Sequence, residues 1–230
     1  LRREAVRAVI GPREAAAGNH GSFRVIFHSV RSLAEPAVLL RALVAGSLTA
    51  AACYPRLSNW TQREDAVWYL IVVVGWAAFV MWAAVFAWTQ RHGEVSVFPQ
   101  HVALRHWLTA LALGTTGAVI SFHFGDPILR RLAATDFPQN VNQWAEHALF
   151  NLALEQLFLC LAPFAFFVRL VPSVKAAAVA TVLFSLLVFG LKLRGLPHDL
   201  SFSMLLSLAA FRALHSAVTV WLYLQGGVWL

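Results

Sequence analysis

Residues 66–89 read Ala-Val-Trp-Tyr-Leu-Ile-Val-Val-Val-Gly-Trp-Ala-Ala-Phe-Val-Met-Trp-Ala-Ala-Val-Phe-Ala-Trp-Thr, 24 residues without a charge. The hydrocarbon core of a bilayer is about 30 Å thick and a helix rises about 1.5 Å per residue, so roughly 20 apolar residues cross it. This run is long enough. Trp60, Trp68 and Trp88 stand near its ends, where indole rings anchor at the membrane–water boundary. A segment in lipid must satisfy every backbone polar group within itself, so the run reads as a transmembrane helix.

Working outward, further apolar runs cover about Ala37 to Cys53, Trp107 to Phe124, Ala148 to Val168, Val174 to Leu191 and Phe202 to Leu224. Short connections hold Pro55, Pro99, Pro127, Pro138, Pro172 and Pro197, where a helix is expected to stop. The expected fold is all-α: a polytopic transmembrane bundle of about six spans over residues 37–230, preceded by a basic segment, residues 1–36. Composition agrees, with 59% of residues hydrophobic and 13% charged, against about 45–50% and about 25% in a typical soluble domain. That balance excludes a soluble enzyme, a secreted disulfide scaffold and a disordered chain. Cys53 and Cys160 both sit in apolar runs and read as small buried hydrophobes.

The formal net charge is +7, and its placement reads as topology, with no nucleic-acid partner expected. Arg2, Arg3, Arg7, Arg13, Arg24 and Arg31 precede the first span, while each later loop carries two Lys or Arg residues. An excess of cations marks the cytoplasmic side, so the amino terminus is expected there and six spans return the chain to it. Val25, Ile26, Phe27 and Val30 interleave with Arg24, His28 and Arg31, which suits either an amphipathic surface helix or a loosely ordered tail.

Ionisable groups inside the membrane cost about 2.5–3.5 kcal/mol on insertion scales and call for a partner or a task. In the fourth span His147, Asn151 and Glu155 recur every four residues, on one helical face, with Gln156 beside them. The sixth span supplies Arg212 and His215, with Ser207 and Ser216 nearby. A Glu155–Arg212 pair is the structural expectation for this intramembrane polar cluster; a catalytic or ion-conducting Glu155, or a lipid or cofactor contact, are the alternatives. His123 could ligate a pigment or metal, or hydrogen-bond locally. Trp76 and Trp82 could border a bound lipid or pigment. No phosphate-cradling glycine loop, His-Glu-x-x-His run or nucleophile elbow occurs. Gly226-Gly227 reads as a turn or a flexible span end. No metal site and no resident cofactor are expected.

Three stretches carry a resemblance: Glu155-Gln-Leu-Phe-Leu-Cys160, Leu186-Leu-Val-Phe-Gly-Leu-Lys-Leu193, and the closing Ala217-Val-Thr-Val-Trp-Leu-Tyr-Leu-Gln-Gly-Gly-Val-Trp-Leu230. Over about residues 145–230 the chain resembles the membrane-embedded CAAX-protease and bacteriocin-processing (Abi) family. That family shows Glu-Glu-x-x-x-Arg, then Phe-x-x-x-His, then a late His-x-x-x-Asn or Asp. Its stretch before the last motif resembles Trp221–Leu230. Glu155 matches the first glutamate, but the second, which activates water in the family, falls on Gln156. The arginine falls on Cys160. Phe189 matches the phenylalanine, and the histidine falls on Leu193. The third motif would lie a few residues beyond Leu230.

An amide cannot take a proton from water near neutral pH, and a leucine can neither hold a metal nor stabilise an oxyanion. The resemblance therefore implies the scaffold of an intramembrane protease without its chemistry, in a bacterial inner (plasma) membrane. With no catalytic residue assigned, the expected role is a structural or assembly subunit among membrane lipids and other integral membrane proteins, in a photosynthetic or respiratory complex for example. A fold outlasts an activity easily. The alternatives are an active protease using Glu146 or Glu155 with His147 or His215, and an immunity or transport-accessory protein.

Overall fold

Lipid leaves a chain of this composition one local solution, the helix, and all six expected spans form one. A computed structural model of the protein describes residues 33–61, 64–89, 96–132, 137–193 and 201–230, and these contain no strand. The segment around residues 25–31, expected as either a surface helix or a loose tail, lies outside the described residues. Helix α1 is Pro36–Trp60 and α2 is Glu64–Trp88. Helix α3 runs from Leu104 through a π turn at Ser121–Gly125 into Asp126–Leu132. Helix α4 begins at Val141, passes through π turns at Asn151–Glu155 and Leu157–Leu161, and ends with Ala162–Leu170. Helices α5, Val174–Leu193, and α6, Phe202–Gly226, complete the set, and a 3₁₀ turn at Gly227–Trp229 follows.

Two of the prolines do not stop their helices as expected. Pro55 lies inside α1, which continues to Trp60. Pro127 lies inside α3, directly behind a π turn whose closing bond runs from the Asp126 amide to the Ser121 carbonyl. Pro163 of α4 stands in the same relation to the π turn at Leu157–Leu161, closed by the Ala162 amide on the Leu157 carbonyl. A proline ring presses on the carbonyl four residues back and leaves it without a donor. A π turn widens the backbone there, so the helix passes the proline instead of ending.

Helices α1 and α2 form the tightest pair. The buried face of α1 is Val38, Ala42, Gly46, Thr49, Ala50, Cys53 and Leu57, which recur at three- and four-residue spacing as one helical stripe demands. At its centre a Cβ added to Gly46 would come within 2.9 Å of the Phe79 amide nitrogen and 3.2 Å of the Gly75 carbonyl oxygen. Only glycine admits this backbone approach, the usual means by which helices associate in lipid. Trp82 crosses the seam and donates from Nε1 to Thr49 Oγ1 at 3.1 Å.

Helix α4 is the hub. Its amino-terminal part packs on α1, its later parts on α2, α5 and α6. One core gathers Ala42, Ala78, Trp82, Val85 and Leu157 between α1, α2 and α4. A second gathers Phe164, Val168, Ala177, Val220 and Tyr223 between α4, α5 and α6. Helix α3 differs from all of these: no residue of Leu104–Ile120 is buried, and its packing is against α6. Both cysteines are free thiols in the interior, as their apolar surroundings in sequence suggested.

Of the two readings of Gly226-Gly227, a turn or a flexible span end, the structure has the turn, and it forms a hook. Gly227 adopts φ 60°, and the Val228 amide donates to the Val97 carbonyl at 3.0 Å. A side chain at Gly227 would collide with the Val97 and Ser96 carbonyls. Trp229 then extends an aromatic row: Trp82 to Phe86 at 5.4 Å, Phe86 to Phe98 at 5.7 Å, and Phe98 to Trp229 at 5.5 Å between ring centroids. The turn after α6 is thereby held against Val97 and Phe98.

Candidate functional site: a polar seam between α4, α5 and α6

The polar residues of α4 do not act as one stripe. Residues four apart share a face only while the helix keeps its α pitch, and the π turn at Asn151–Glu155 breaks that pitch. His147 and Glu146 lie on the part of α4 that packs against α1, where Glu146 accepts a hydrogen bond from Asn59 Nδ2. Asn151 is exposed. Glu155 and Gln156, at the junction of the two π turns, reach different neighbours.

Glu155 meets Lys192 of α5, with Oε1 2.8 Å from Nζ. The expected Glu155–Arg212 pair does not form. Arg212 of α6 instead donates from Nε to Ser185 Oγ of α5 at 2.9 Å, and Ser185 is fully buried. The reason is reach. Lys192, one residue from the end of α5, lies beside Glu155, while Arg212 lies against the deeper part of α5.

Gln156 Nε2 lies 2.8 Å from His215 Nε2 of α6. In this assignment the amide donates and the ring nitrogen accepts, which places the imidazole proton on Nδ1. Gln156 Oε1 is buried with no hydrogen-bond partner. One turn on, Cys160 Sγ is 3.4 Å from Ser216 Oγ, both residues buried. Leu193, the other position marked by the resemblance, closes α5 and is partly buried. Glu155 and Arg212 both lie within electrostatic range of His215.

The seam thus joins four of the expected residues, Glu155, Gln156, Arg212 and His215, and leaves out His147 and Asn151. It adds Lys192 and Ser185, which sequence reading missed. Lys192 reads in sequence as a loop charge at a span end, and Ser185 as a small residue in an apolar run. Their signal was positional: Ser185 continues the stripe of Ala177 and Thr181 that α5 buries. Chemically, the seam contains a carboxylate already held by an ammonium, an imidazole held by an amide, and a guanidinium whose described hydrogen-bond partner is a neutral hydroxyl. Among the described residues, no three of His, Cys, Asp and Glu gather as a metal site would require.

The remaining expected residues lie elsewhere. His123 Nδ1 is 3.0 Å from the Val119 carbonyl, a local bond across the π turn of α3. Trp82 is buried in the α1–α2 seam. Trp76 is 69% exposed and lines an apolar groove of about 660 Å³ between α1 and α2, with Leu43, Tyr54 and Trp68. Comparison with protein-family models, with curated proteins and with solved structures finds no match to this chain.

Proposed function

We propose that this chain is a non-catalytic membrane protein, built on a bundle of the intramembrane-protease kind, that serves as a structural or assembly subunit among other integral membrane proteins of a bacterial plasma membrane. One observation carries the reading. At the position where the resembling family keeps its water-activating glutamate, Gln156 presents an amide, and that amide is engaged with His215 at 2.8 Å. An amide has no basic lone pair for general-base work. The adjoining carboxylate, Glu155, is held by Lys192, so no free carboxylate takes its place at this junction.

Helix α3 supports the assembly part of the reading. Ala110, Gly114 and Ala118 recur every four residues along it, and nothing lies within 4 Å of a Cβ built on Gly114. Small residues at that spacing favour close helix packing in membranes, whereas against lipid a glycine costs about 1 kcal/mol of helix propensity with no return.

The test is mild-detergent purification from native membranes, followed by cross-linking and a protease assay on a transmembrane peptide. Stoichiometric integral membrane partners and no cleavage are expected. A chain that purifies alone, or peptide cleavage that disappears in Glu155→Ala, would overturn the proposal.

A further inference from the structure

The unmatched group in the seam is Arg212. It lies ten residues into α6, about 15 Å along the axis at 1.5 Å per residue. Its Nε is bonded to Ser185, eight residues and about 12 Å before the end of α5. Both measures put the guanidinium well inside the hydrocarbon. Among the described residues it has no carboxylate partner, because Glu155 is taken by Lys192. A serine hydroxyl accepts a hydrogen bond but supplies no counter-charge. The one carboxylate at this junction thus pairs with Lys192 and leaves Arg212 without a counter-charge, at a depth where an unpaired charge is costly.

One flank of α6 beside Arg212 is open, since Phe211 and His215 are exposed. We infer that Arg212 is a docking point for a transmembrane helix of a partner protein that carries a carboxylate near the middle of its apolar stretch. Depth selects this occupant over an anionic lipid. Lipid phosphates stay at the surface, about 15 Å from the bilayer centre, and would have to be drawn through hydrocarbon to reach Ser185. A carboxylate on a spanning helix can be set at any depth. A planar guanidinium also binds a carboxylate in two-pronged fashion, with its Nη groups available while Nε stays on Ser185. This inference rests on the assembly reading above and names the chemistry of the partner.

The experiment reconstitutes the full chain, fluorescently labelled, in phosphatidylcholine vesicles. It is titrated by energy transfer with poly-leucine helices of about 22 residues bearing one central Glu, Gln or Leu. The Glu helix is expected to bind about tenfold more tightly than the other two. Arg212→Lys should keep that preference, Arg212→Leu should abolish it, and Arg212→Glu should transfer it to a helix with a central Lys. The lysine and glutamate variants decide the matter even where the leucine variant fails to fold. Equal binding of the three helices, or a Glu preference that survives Arg212→Leu, would overturn the inference. So would loss of the preference when phosphatidylglycerol is added to the vesicles, which would make a lipid the occupant. Native partners that copurify while the Glu preference is absent would sink this inference alone. A Glu preference in a chain that purifies without partners would sink the assembly reading alone.

Discussion

Two seams hold this bundle together, and they work on different physics. Between α1 and α2 the contact is close and mainly apolar, centred on Gly46 against the Phe79 backbone, with a hydrogen bond from Trp82 to Thr49. Between α4, α5 and α6 the contact runs through polar groups: Glu155 to Lys192, Gln156 to His215, Cys160 to Ser216 and Arg212 to Ser185. In lipid the hydrophobic effect does not draw helices together, so packing and polar contacts must do so. The first seam satisfies all its described parts. The second leaves Gln156 Oε1 and the charge of Arg212 unmatched. Close packing dominates one seam, and unmatched polar groups remain in the other.

The most severe test of that division is Gly46→Leu. Even the first carbon would sit 2.9 Å from the Phe79 nitrogen and 3.0 Å from its Cα, and backbone cannot rotate aside. A loss of about 3 kcal/mol or more is expected in denaturant unfolding of the detergent-solubilised protein. Wild-type stability in that variant would break the claim that close packing holds the hairpin. A smaller effect is expected from Trp82→Phe, which removes the Nε1–H donor facing Thr49 and keeps most of the ring volume. The same unfolding measurement should show a loss of about 1 kcal/mol. The smallest belongs to Lys192→Met. Its side chain is 61% exposed, so the pair with Glu155 should contribute about 0.5 kcal/mol. If Lys192→Met proved costlier than Trp82→Phe, the polar seam would be the stabilising one and the contrast would reverse.

The six spans were legible because lipid leaves a long apolar run no alternative to a helix. The prolines misled at Pro55 and Pro127, because a proline marks a helix end only where water or a turn can take up the freed carbonyl. In α3 a π turn absorbs the distortion. The polar seam was half legible. Sequence showed that Glu155 and Arg212 needed partners, since charge in hydrocarbon always does. It could not show that each would find a different one, because pairing depends on the relative depth of three helices. The isolation of α3 left no trace in its hydropathy, for a lipid-facing residue and a helix-facing residue are both apolar. The groove at Trp76 was likewise visible only as aromatic richness.

The hook after α6 has a consequence for biogenesis. The Val97 carbonyl accepts its bond from the Val228 amide, a partner about 130 residues downstream. At about 5–20 residues per second of synthesis, that partner emerges on the order of 10 s later. During that interval the Val97 carbonyl lacks this donor while four further helices are made. The clasp therefore forms only on a chain whose sixth helix has already been made, and it ties the last span back to the exit of the second.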